Sequence, residues 1–468
     1  MKFSKLFALS VLNAGLATGA DYAEIYYQDK RTKGYTRRYQ KVDGIGSGRT
    51  CGVGIRLLKG KQQVYGFTSD FSKRALLELA SSLALGFDGE RVLTVRELKK
   101  KPMRKNINPI AIPHSAWSDE KKIAYLKDGE DAAFAVSPEV KNVNCSLSES
   151  DEHVEIYNSD GICCEDDRVR TSLVVYAIAS DGKSFQSGYE ALGLSCGLEL
   201  LEKTDIKALG KKCGETAIAL LKAPEGPSGE MPVVLGKGFG GVLFHESCGH
   251  PLEGSAISHA TSPFTGKLGQ KIGSSILNAY DDGTIENGWG SENVDDEGNA
   301  PTKNQLIKDG VLVSYMLDRY TARRIDPTLT PTGACRRESY RYLPTTRMTN
   351  TYIGAGTSDP KDIIASVKYG IYCVGLSGGQ VDPATDQFDF TSDVAYVIKD
   401  GKLDHMIRPV SLMGYGYEIL PRITMIGNDC ERAPGTCGAA SGSVFVEVGQ
   451  PTLLVSKMLV GGAGGNNE

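Results

Sequence analysis

The feature that most constrains the fold of this chain is a proline- and glycine-rich segment, Pro224-Glu225-Gly226-Pro227-Ser228-Gly229. Proline removes an amide donor and glycine weakens helices and strands, so no regular element is expected to run through this segment. Before it, helical and strand-like hydrophobic patterns alternate; after it, short strand patterns separated by glycine turns predominate. The sequence therefore predicts an α+β protein in which an N-terminal lobe of mixed helices and strands precedes a strand-rich C-terminal domain.

The part before this segment contains two successive sets of patterns. Apolar residues at helical spacing bracket the first set at 3–19 and 72–85, and the second at 118–135 and 198–222. A basic, proline-containing linker lies between the sets, at 96–117. The strand patterns of the second set lie at 139–147, 152–157 and 169–180. With 468 residues, the chain is too long for one ordinary hydrophobic core. We therefore predict three domains: 1–95, 118–223 and 230–468.

Charge and cysteine usage exclude several classes of protein. A net charge of −4 and an isoelectric point near 6.0 give no basic field for nucleic acid or an anionic membrane surface. No apolar run is long enough to span a bilayer. The 11 cysteines are odd in number and scattered, unlike those of a secreted disulfide scaffold, so we predict a reduced, cytoplasmic protein. Export is the alternative, because residues 2–12 imitate a short signal peptide.

One segment carries the pattern of a metal centre, the motif His245-Glu246-x-x-x-His250. Two imidazoles suit Zn²⁺, and a neighbouring glutamate can act as general base on a zinc-bound water. On a regular helix, at about 100° per residue, side chains five positions apart diverge by roughly 140°. They converge only if the turn is widened, as in a π-bulge, or if the helix is broken. Gly249 and Pro251 provide for such a break, so the motif is predicted to lie on a broken helix.

A competing interpretation starts from Gly236, Gly238 and Gly241, which form a Gly-x-Gly-x-x-Gly pattern after a strand-like run. The pattern is typical of a dinucleotide-binding turn, and the protein would then be an oxidoreductase. No strand ending in an acidic residue follows at the required distance, which counts against this alternative. The glycines also permit close packing of a helix on a strand.

A third metal ligand has to come from elsewhere in the chain, and the residues alone leave its identity open. Cys437 is flanked by Thr436 and Gly438 in a predicted loop that can approach a metal closely. A buried cysteine without a metal role is the alternative for Cys437, and Cys248, inside the motif, is expected to be a small core residue. No substrate-binding residue is indicated.

Several long segments, in order along the whole chain, carry a resemblance to the TldD/PmbA family of peptidases. They are the motif continued through Pro251-Leu252-Glu253-Gly254, Arg336-Arg337-Glu338-Ser339-Tyr340-Arg341-Tyr342-Leu343-Pro344, Arg347-Met348-Thr349-Asn350-Thr351, Gly378-Gly379-Gln380-Val381-Asp382, Gly435-Thr436-Cys437-Gly438 and Val448-Gly449-Gln450-Pro451-Thr452. The resemblance is to the catalytic, TldD-like branch, since a PmbA-like subunit would lack the histidine motif.

The resemblance implies a zinc-dependent peptidase that cleaves unfolded or extended peptides. It implies that His245, His250 and Cys437 bind the Zn²⁺ and that Glu246 is the general base. It also implies a dimer, formed with a metal-less PmbA/TldE-like partner or with a second copy. A non-catalytic partner subunit remains the alternative within the family. Cys248, where a small apolar residue is more typical, leaves the choice of sulfur ligand open.

The arginine-rich stretch between Arg336 and Asn350 has two interpretations. Its four arginines, at 336, 337, 341 and 347, can bind peptide carboxylates or stabilise an oxyanion. They can equally form buried ion pairs that hold loops in place, and this structural interpretation is the favoured one.

Overall fold

The computed structural model describes residues 1–101, 105–382 and 385–463. The strands of its N-terminal half are β1 (Tyr22–Arg38), β2 (Lys41–Lys59), β3 (Gln62–Thr68), β4 (Lys99–Lys100), β5 (Val140–Asn158), β6 (Ile162–Ser180) and β7 (Phe185–Leu194). The helices of this half are α1 (Lys5–Gly15), α2 (Lys73–Ala84), α3 (Asp119–Phe134), α4 (Glu199–Lys203) and α5 (Ile206–Lys222).

These strands form one sheet of seven, in the order β3-β2-β1-β5-β6-β4, with β7 also paired to β6. Side chains alternate between its two faces. Ile25 and Tyr35 of β1 point to the face that α1, α2, α3 and α5 cover, in two separate cores. Tyr26 points to the opposite face and packs against Val294 and Tyr340 of the C-terminal half. Strands from both predicted N-terminal segments thus share one sheet; the three domain ranges stay a prediction.

The local patterns located most elements, with three differences. The strands predicted at 139–147 and 152–157 are one continuous strand, β5. The helix predicted at 198–222 is two helices, α4 and α5, because the backbone becomes extended at Thr204 and Asp205 then caps α5 by accepting hydrogen bonds from two backbone amides. Strand β7 was not predicted; it is bound to β6 through pairing that local periodicity does not reveal.

The C-terminal half contains seventeen strands among its described residues. They are β8 (Gly229–Leu235), β9 (Ala279–Asp282), β10 (Lys303–Lys308), β11 (Val311–Leu312), β12 (Cys335–Arg336), β13 (Thr345–Thr346), β14 (Asn350–Ile353), β15 (Tyr369–Cys373), β16 (Leu376–Asp382), β17 (Gln387–Ser392), β18 (Ala395–Lys399), β19 (Lys402–Ile407), β20 (Ser411–Tyr415), β21 (Ile423–Ile426), β22 (Glu431–Ala439), β23 (Gly442–Gln450) and β24 (Leu453–Gly461). The helices are α6 (Val242–Phe244), α7 (Gly254–Ser258), α8 (Arg319–Ile325), α9 (Pro360–Ala365) and α10 (Gly416–Ile419).

Two large sheets organise this half and position the histidine motif. One has six strands in the order β11-β10-β9-β14-β23-β22, and the other has nine, running β16-β17-β20-β24-β8-β15-β18-β19 with β21 also paired to β24. The segment that carries the motif packs on both: on β14 and β23 of the first sheet, and on β16 and β17 of the second. The fold is therefore α+β with a strand-rich C-terminal half, as predicted.

Two general expectations can be compared with the described residues. No helix in them combines the length and apolar character needed to cross a bilayer. All eleven cysteines are free thiols.

Candidate metal centre

The histidine motif lies on a short helical segment whose geometry changes three times. Residues 238–241 form a 3₁₀ turn, 242–244 an α-helical turn, 245–249 a π-helical turn and 250–252 a second 3₁₀ turn. The amide of His250 donates to the carbonyl of His245, which is the five-residue bond of a π-helix. A π turn holds about one more residue than an α turn, so side chains five apart return to the same side. Of the two arrangements that the five-residue spacing allows, a widened turn or a broken helix, the structure has the widened turn between the histidines.

Gly249 and Pro251 contribute differently from what the sequence suggested. Gly249 has ordinary helical angles, φ −57° and ψ −60°, so backbone freedom is not why it is glycine. A Cβ there would lie 2.2 Å from the sulfur of Met348, so a side chain at this position would require the buried Met348 to move. His250 also stays helical before Pro251, and the chain leaves the helix only at Glu253. Pro251 lacks an amide hydrogen, so the ladder of five-residue bonds cannot continue past His250.

The structure brings His245, His250 and Cys437 together. One potential ligand atom from each lies within 4.8 Å of the others. The two imidazole rings are 5.1 Å apart at an interplanar angle of 83°, and 3.1 Å separates the Sγ of Cys437 from the Nε2 of His250. Cys437 lies in strand β22, not in the predicted loop, two residues before the turn into β23. Their function as metal ligands stays a prediction.

The pKa values of the two histidines are shifted in opposite directions by burial and neighbouring charges. Burial lowers the pKa of His245 well below its usual value, and the positive charges of His250 and Arg347 lower it further. The buried Nδ1 of His245 has no hydrogen-bond partner. Burial also lowers the pKa of His250, but Glu253 and Cys437 more than offset it and raise that pKa well above its usual value. The centre therefore places the neutral His245, with its unpaired Nδ1, beside His250, whose surroundings favour a positive charge.

Glu246 lies beside this group without belonging to it. Its Oε2 is 3.8 Å from the Nε2 of His250, and its carboxylate is not among the converging ligand atoms. Burial raises its pKa; the charge of His250 opposes that shift and the charge of Glu253 adds to it. Glu246 is thus a carboxylate of raised basicity at the edge of the centre, the property that a general base needs.

Sequence reasoning did not assign a function to Glu253, which the structure places against His250. Its Oε2 is 3.4 Å from the Nδ1 of His250, and its side chain is nearly completely buried. Histidines that bind metals almost always donate their other ring N–H to a carboxylate, carbonyl or water. The sequence feature that could have pointed to Glu253 is an acidic residue three positions after the second histidine, on the same side of a helical turn.

The arginine-rich stretch is mostly a set of buried contacts, in agreement with the structural interpretation. Arg336 bonds to the carbonyls of Met348 and Phe445, at 2.8 and 2.7 Å. Arg337 pairs with Glu24 of β1 at 2.8 Å. Arg347 is fully buried close to the metal centre, whereas Arg341 is exposed.

Two other residues of types that bind metals, Cys248 and His114, lie outside the centre. Cys248 is fully buried in the large C-terminal core, where burial raises the pKa of its thiol well above the usual value. It does not belong to the converging group. His114 bonds to Asp151 and Thr171 in the N-terminal half, at 2.9 Å each.

Close packing explains the glycine pattern that suggested a dinucleotide-binding turn. A Cβ at Gly241 would lie 2.5 Å from the backbone of Gly449 in β23. The segment after β8 is also a short 3₁₀ and π turn, not the long helix whose N-terminus binds a pyrophosphate. The glycines allow the motif segment to contact the sheet that carries Cys437.

The donor set fits zinc. Two imidazole nitrogens and one thiolate are ligands that Zn²⁺ prefers, and three protein ligands are typical of catalytic zinc sites, whose fourth position stays open. The unpaired, buried Nδ1 of His245 shows that the polar groups here are not satisfied by the protein alone.

Three family models match consecutive parts of the chain. They describe PmbA/TldA metallopeptidase domain 1 at residues 23–85, the central domain at 112–221 and the C-terminal domain at 228–462. The last includes the histidine motif and Cys437.

Curated relatives match over nearly the full length. A "Metalloprotease TldD homolog" of Haemophilus influenzae is 36% identical, over 94% of this chain and 93% of the relative. One of the same name from Buchnera aphidicola is 33% identical over the same shares. Among solved structures, TldE from Thermococcus kodakarensis superposes with a TM-score of 0.75 at 17% identity, covering 97% of this chain and 100% of that chain. The last similarity concerns the fold alone.

Proposed function

Because this chain belongs to the PmbA/TldA metallopeptidase family, we propose that it is a zinc-dependent peptidase whose ion is bound by His245, His250 and Cys437. Its relatives over nearly the full length are named metalloproteases, so the chain is a metallopeptidase, and hence a hydrolase. The observation that carries the zinc proposal is the convergence of two imidazoles and one thiol within 4.8 Å, on two elements far apart in sequence. A metal centre explains this convergence because the group includes a buried nitrogen without a partner.

Zinc would supply one kind of chemistry at this centre: it polarises a peptide carbonyl and lowers the pKa of a coordinated water towards neutrality. The protein's own contribution to the chemistry starts with Glu246. Its carboxylate, whose pKa burial raises, accepts the proton of the attacking water and then delivers it to the leaving amine. Because Glu246 is outside the converging ligand atoms, it is free to exchange that proton.

The proposed substrates are unfolded or extended peptides. Strand β22, which carries Cys437, is the last strand of its six-stranded sheet and pairs only with β23 among the described residues. The carbonyls of Gly435 and Cys437 on this strand already accept hydrogen bonds from Trp289 and Arg347, but the rest of an edge strand can accept an extended peptide through backbone hydrogen bonds, without selecting a particular side chain. A folded protein cannot present its backbone in this way, so the edge supports a preference for unfolded segments.

A dimer is the proposed assembly, with a PmbA/TldE-like partner chain or a second copy of this chain. The similarity of the fold to a TldE structure supports a partner of the same architecture. Light scattering of the purified chain, alone and mixed with such a partner, measures the mass of the active species; an active monomer would overturn this proposal. The free thiols throughout the chain support the proposed cytoplasmic location.

Metal analysis combined with X-ray absorption tests the central proposal. We expect about one zinc per chain and a shell that contains nitrogen and one sulfur, at the distances typical of zinc–imidazole and zinc–thiolate bonds. Removing the zinc with a chelator should abolish cleavage of an unfolded peptide, and adding zinc should restore it. A shell without sulfur would exclude Cys437, and a fully active zinc-free protein would refute the proposal.

A further inference from the structure

Arg347 contacts the strand that carries Cys437 and also faces the carboxylate of Glu253, behind His250. Its side chain is completely buried. One guanidinium nitrogen, Nη2, donates to the carbonyl of Cys437 at 2.5 Å. The other, Nη1, donates to the carbonyl of Gly442 at 2.6 Å and to the hydroxyl of Ser441 at 3.1 Å. These three contacts hold the turn between β22 and β23, immediately after Cys437.

The third nitrogen of Arg347 faces the histidine motif. Its Nε is 3.8 Å from the Oε1 of Glu253. Neither of these two buried atoms has a hydrogen-bond partner, although buried polar atoms normally have one. The other oxygen of Glu253 is 3.4 Å from the Nδ1 of His250. A continuous path of polar groups therefore runs from Cys437 through Arg347 and Glu253 to His250.

This path matches what a metal-bound imidazole requires. If His250 binds a metal through Nε2, the nitrogen that lies near the Cys437 sulfur, its proton must be on Nδ1, and Glu253 is positioned to accept it. A buried carboxylate without a cation is costly, and Arg347 provides the compensating charge. The same arginine fixes the backbone of the thiol ligand, so two ligands from distant elements depend on one side chain.

We propose that Arg347 is a positioning residue that sets the geometry of the metal centre by holding Cys437 directly and His250 through Glu253. The proposal rests on the proposed zinc site. It goes beyond it by assigning outer residues that act on the metal only through other residues. A purely structural function, in which Arg347 merely holds the β22–β23 turn, predicts loss of stability without a change in metal affinity once the protein is folded.

Zinc affinity, measured by competition with a chelator, separates these two interpretations. Glu253→Gln should weaken zinc binding about 10- to 100-fold, the range for a residue that orients a ligand, and Arg347→Met should weaken it at least as much. The fold-loss of zinc affinity in the double variant should be smaller than the product of the two single-variant losses, because both substitutions interrupt the same path. Arg347→Lys keeps the charge but not the forked contacts, and it repeats the comparison if Arg347→Met fails to fold.

The Co²⁺-substituted protein provides a second measurement that does not depend on activity. Its thiolate-to-cobalt charge-transfer band and its ligand-field bands report the ligands' geometry, and both should change in Arg347→Met and Arg347→Lys. Arg168→Met is the matched control: Arg168 is equally buried but pairs with Asp166, Glu292 and Asp296. It should lose stability and keep the wild-type zinc affinity and cobalt spectrum.

The outcomes distinguish this inference from the proposed function. Wild-type protein that binds no zinc refutes the proposed function itself. Wild-type protein that binds zinc, with unchanged affinity and cobalt spectrum in the folded Arg347 and Glu253 variants, refutes only the positioning proposal. The positioning proposal would also be overturned if the loss of zinc affinity in the double variant equalled the product of the losses in Arg347→Met and Glu253→Gln. The two residues would then act independently.

Discussion

Among the residues that the structure describes, two groups of side chains have the spacing of a metal site, and they differ in what surrounds them. His245, His250 and Cys437 form the first; His153, Glu155 and Glu165, on the N-terminal sheet, form the second. In both, one potential ligand atom per residue lies within 4.8 Å of the others. Distance alone therefore does not separate a metal centre from a cluster of ion pairs.

The second group is satisfied by the protein's own charges. Both nitrogens of His153 have acidic partners, Asp167 at 2.7 Å and Glu155 at 3.2 Å. Glu165 pairs with Lys100. In the first group, by contrast, the buried Nδ1 of His245 has no partner. The comparison shows that proximity alone does not mark a metal centre, and that an unpaired buried nitrogen distinguishes the first group from the second.

The largest expected effect tests this comparison directly. His245→Ala removes a ligand from the first group and should abolish zinc binding and peptide cleavage together, since a buried site cannot replace an imidazole with water at equal affinity. His153→Ala removes the histidine of the second group and should leave about one zinc per chain and near-normal cleavage. Metal analysis and a peptide assay on both variants measure the contrast. Zinc lost from the His153 variant would reverse the assignment.

Glu246→Gln should separate chemistry from metal binding within the first group. The amide keeps the shape of the side chain and removes its basicity, so cleavage should fall by roughly two to four orders of magnitude. Zinc content should stay near the wild-type value, because Glu246 is outside the converging atoms. Steady-state kinetics and metal analysis on the same preparation check both statements. A zinc-free variant would make Glu246 a ligand instead.

A smaller effect is expected at the two cysteines near the centre. Cys437→Ser replaces the thiolate by a weak ligand and should reduce zinc affinity by more than about 100-fold, beyond the range for outer residues. Cys248→Ala should leave the affinity unchanged, since Cys248 is a core residue outside the group. Chelator competition gives both affinities, and X-ray absorption should show sulfur in the second variant only. The reverse result would make Cys248 the sulfur ligand.

The smallest effect concerns the second group and its ion pairs. The hydrogen bond to Glu155 raises the pKa of His153; burial opposes this, and with Asp167 the pKa reaches about 9. Because the folded pKa is above the unfolded value of about 6.5, this stabilisation is fully present below pH 6.5 and lost as the pH rises through 9.

His153→Gln should therefore destabilise the protein at about pH 6 and have little effect at about pH 10. The imidazole is one third exposed, so solvent screening limits the difference to about 1 kcal/mol or less. Denaturant unfolding of both proteins at the two pH values measures it. If the substitution changed the free energy of unfolding equally at both pH values, His153 would be uncharged in these pairs.

The sequence by itself determined the local features. The apolar spacing predicted α2 and α3 closely, because a helix is formed by residues three and four positions apart. The five-residue spacing of His245 and His250 was enough to require either a widened turn or a broken helix, since imidazole directions on a helix depend only on residues per turn, but only the structure shows that the turn is widened.

Only the tertiary structure decided how distant residues meet. Cys437 reaches His250 across 187 residues, and its neighbour in the sheet, β23, pairs in parallel with β14 from far earlier in the chain. The side chain that packs against Gly249 is Met348, and the cation opposite Glu253 is Arg347. None of these contacts leaves a periodic trace in the sequence, because strand pairing and side-chain packing depend on which surfaces the folded chain brings together.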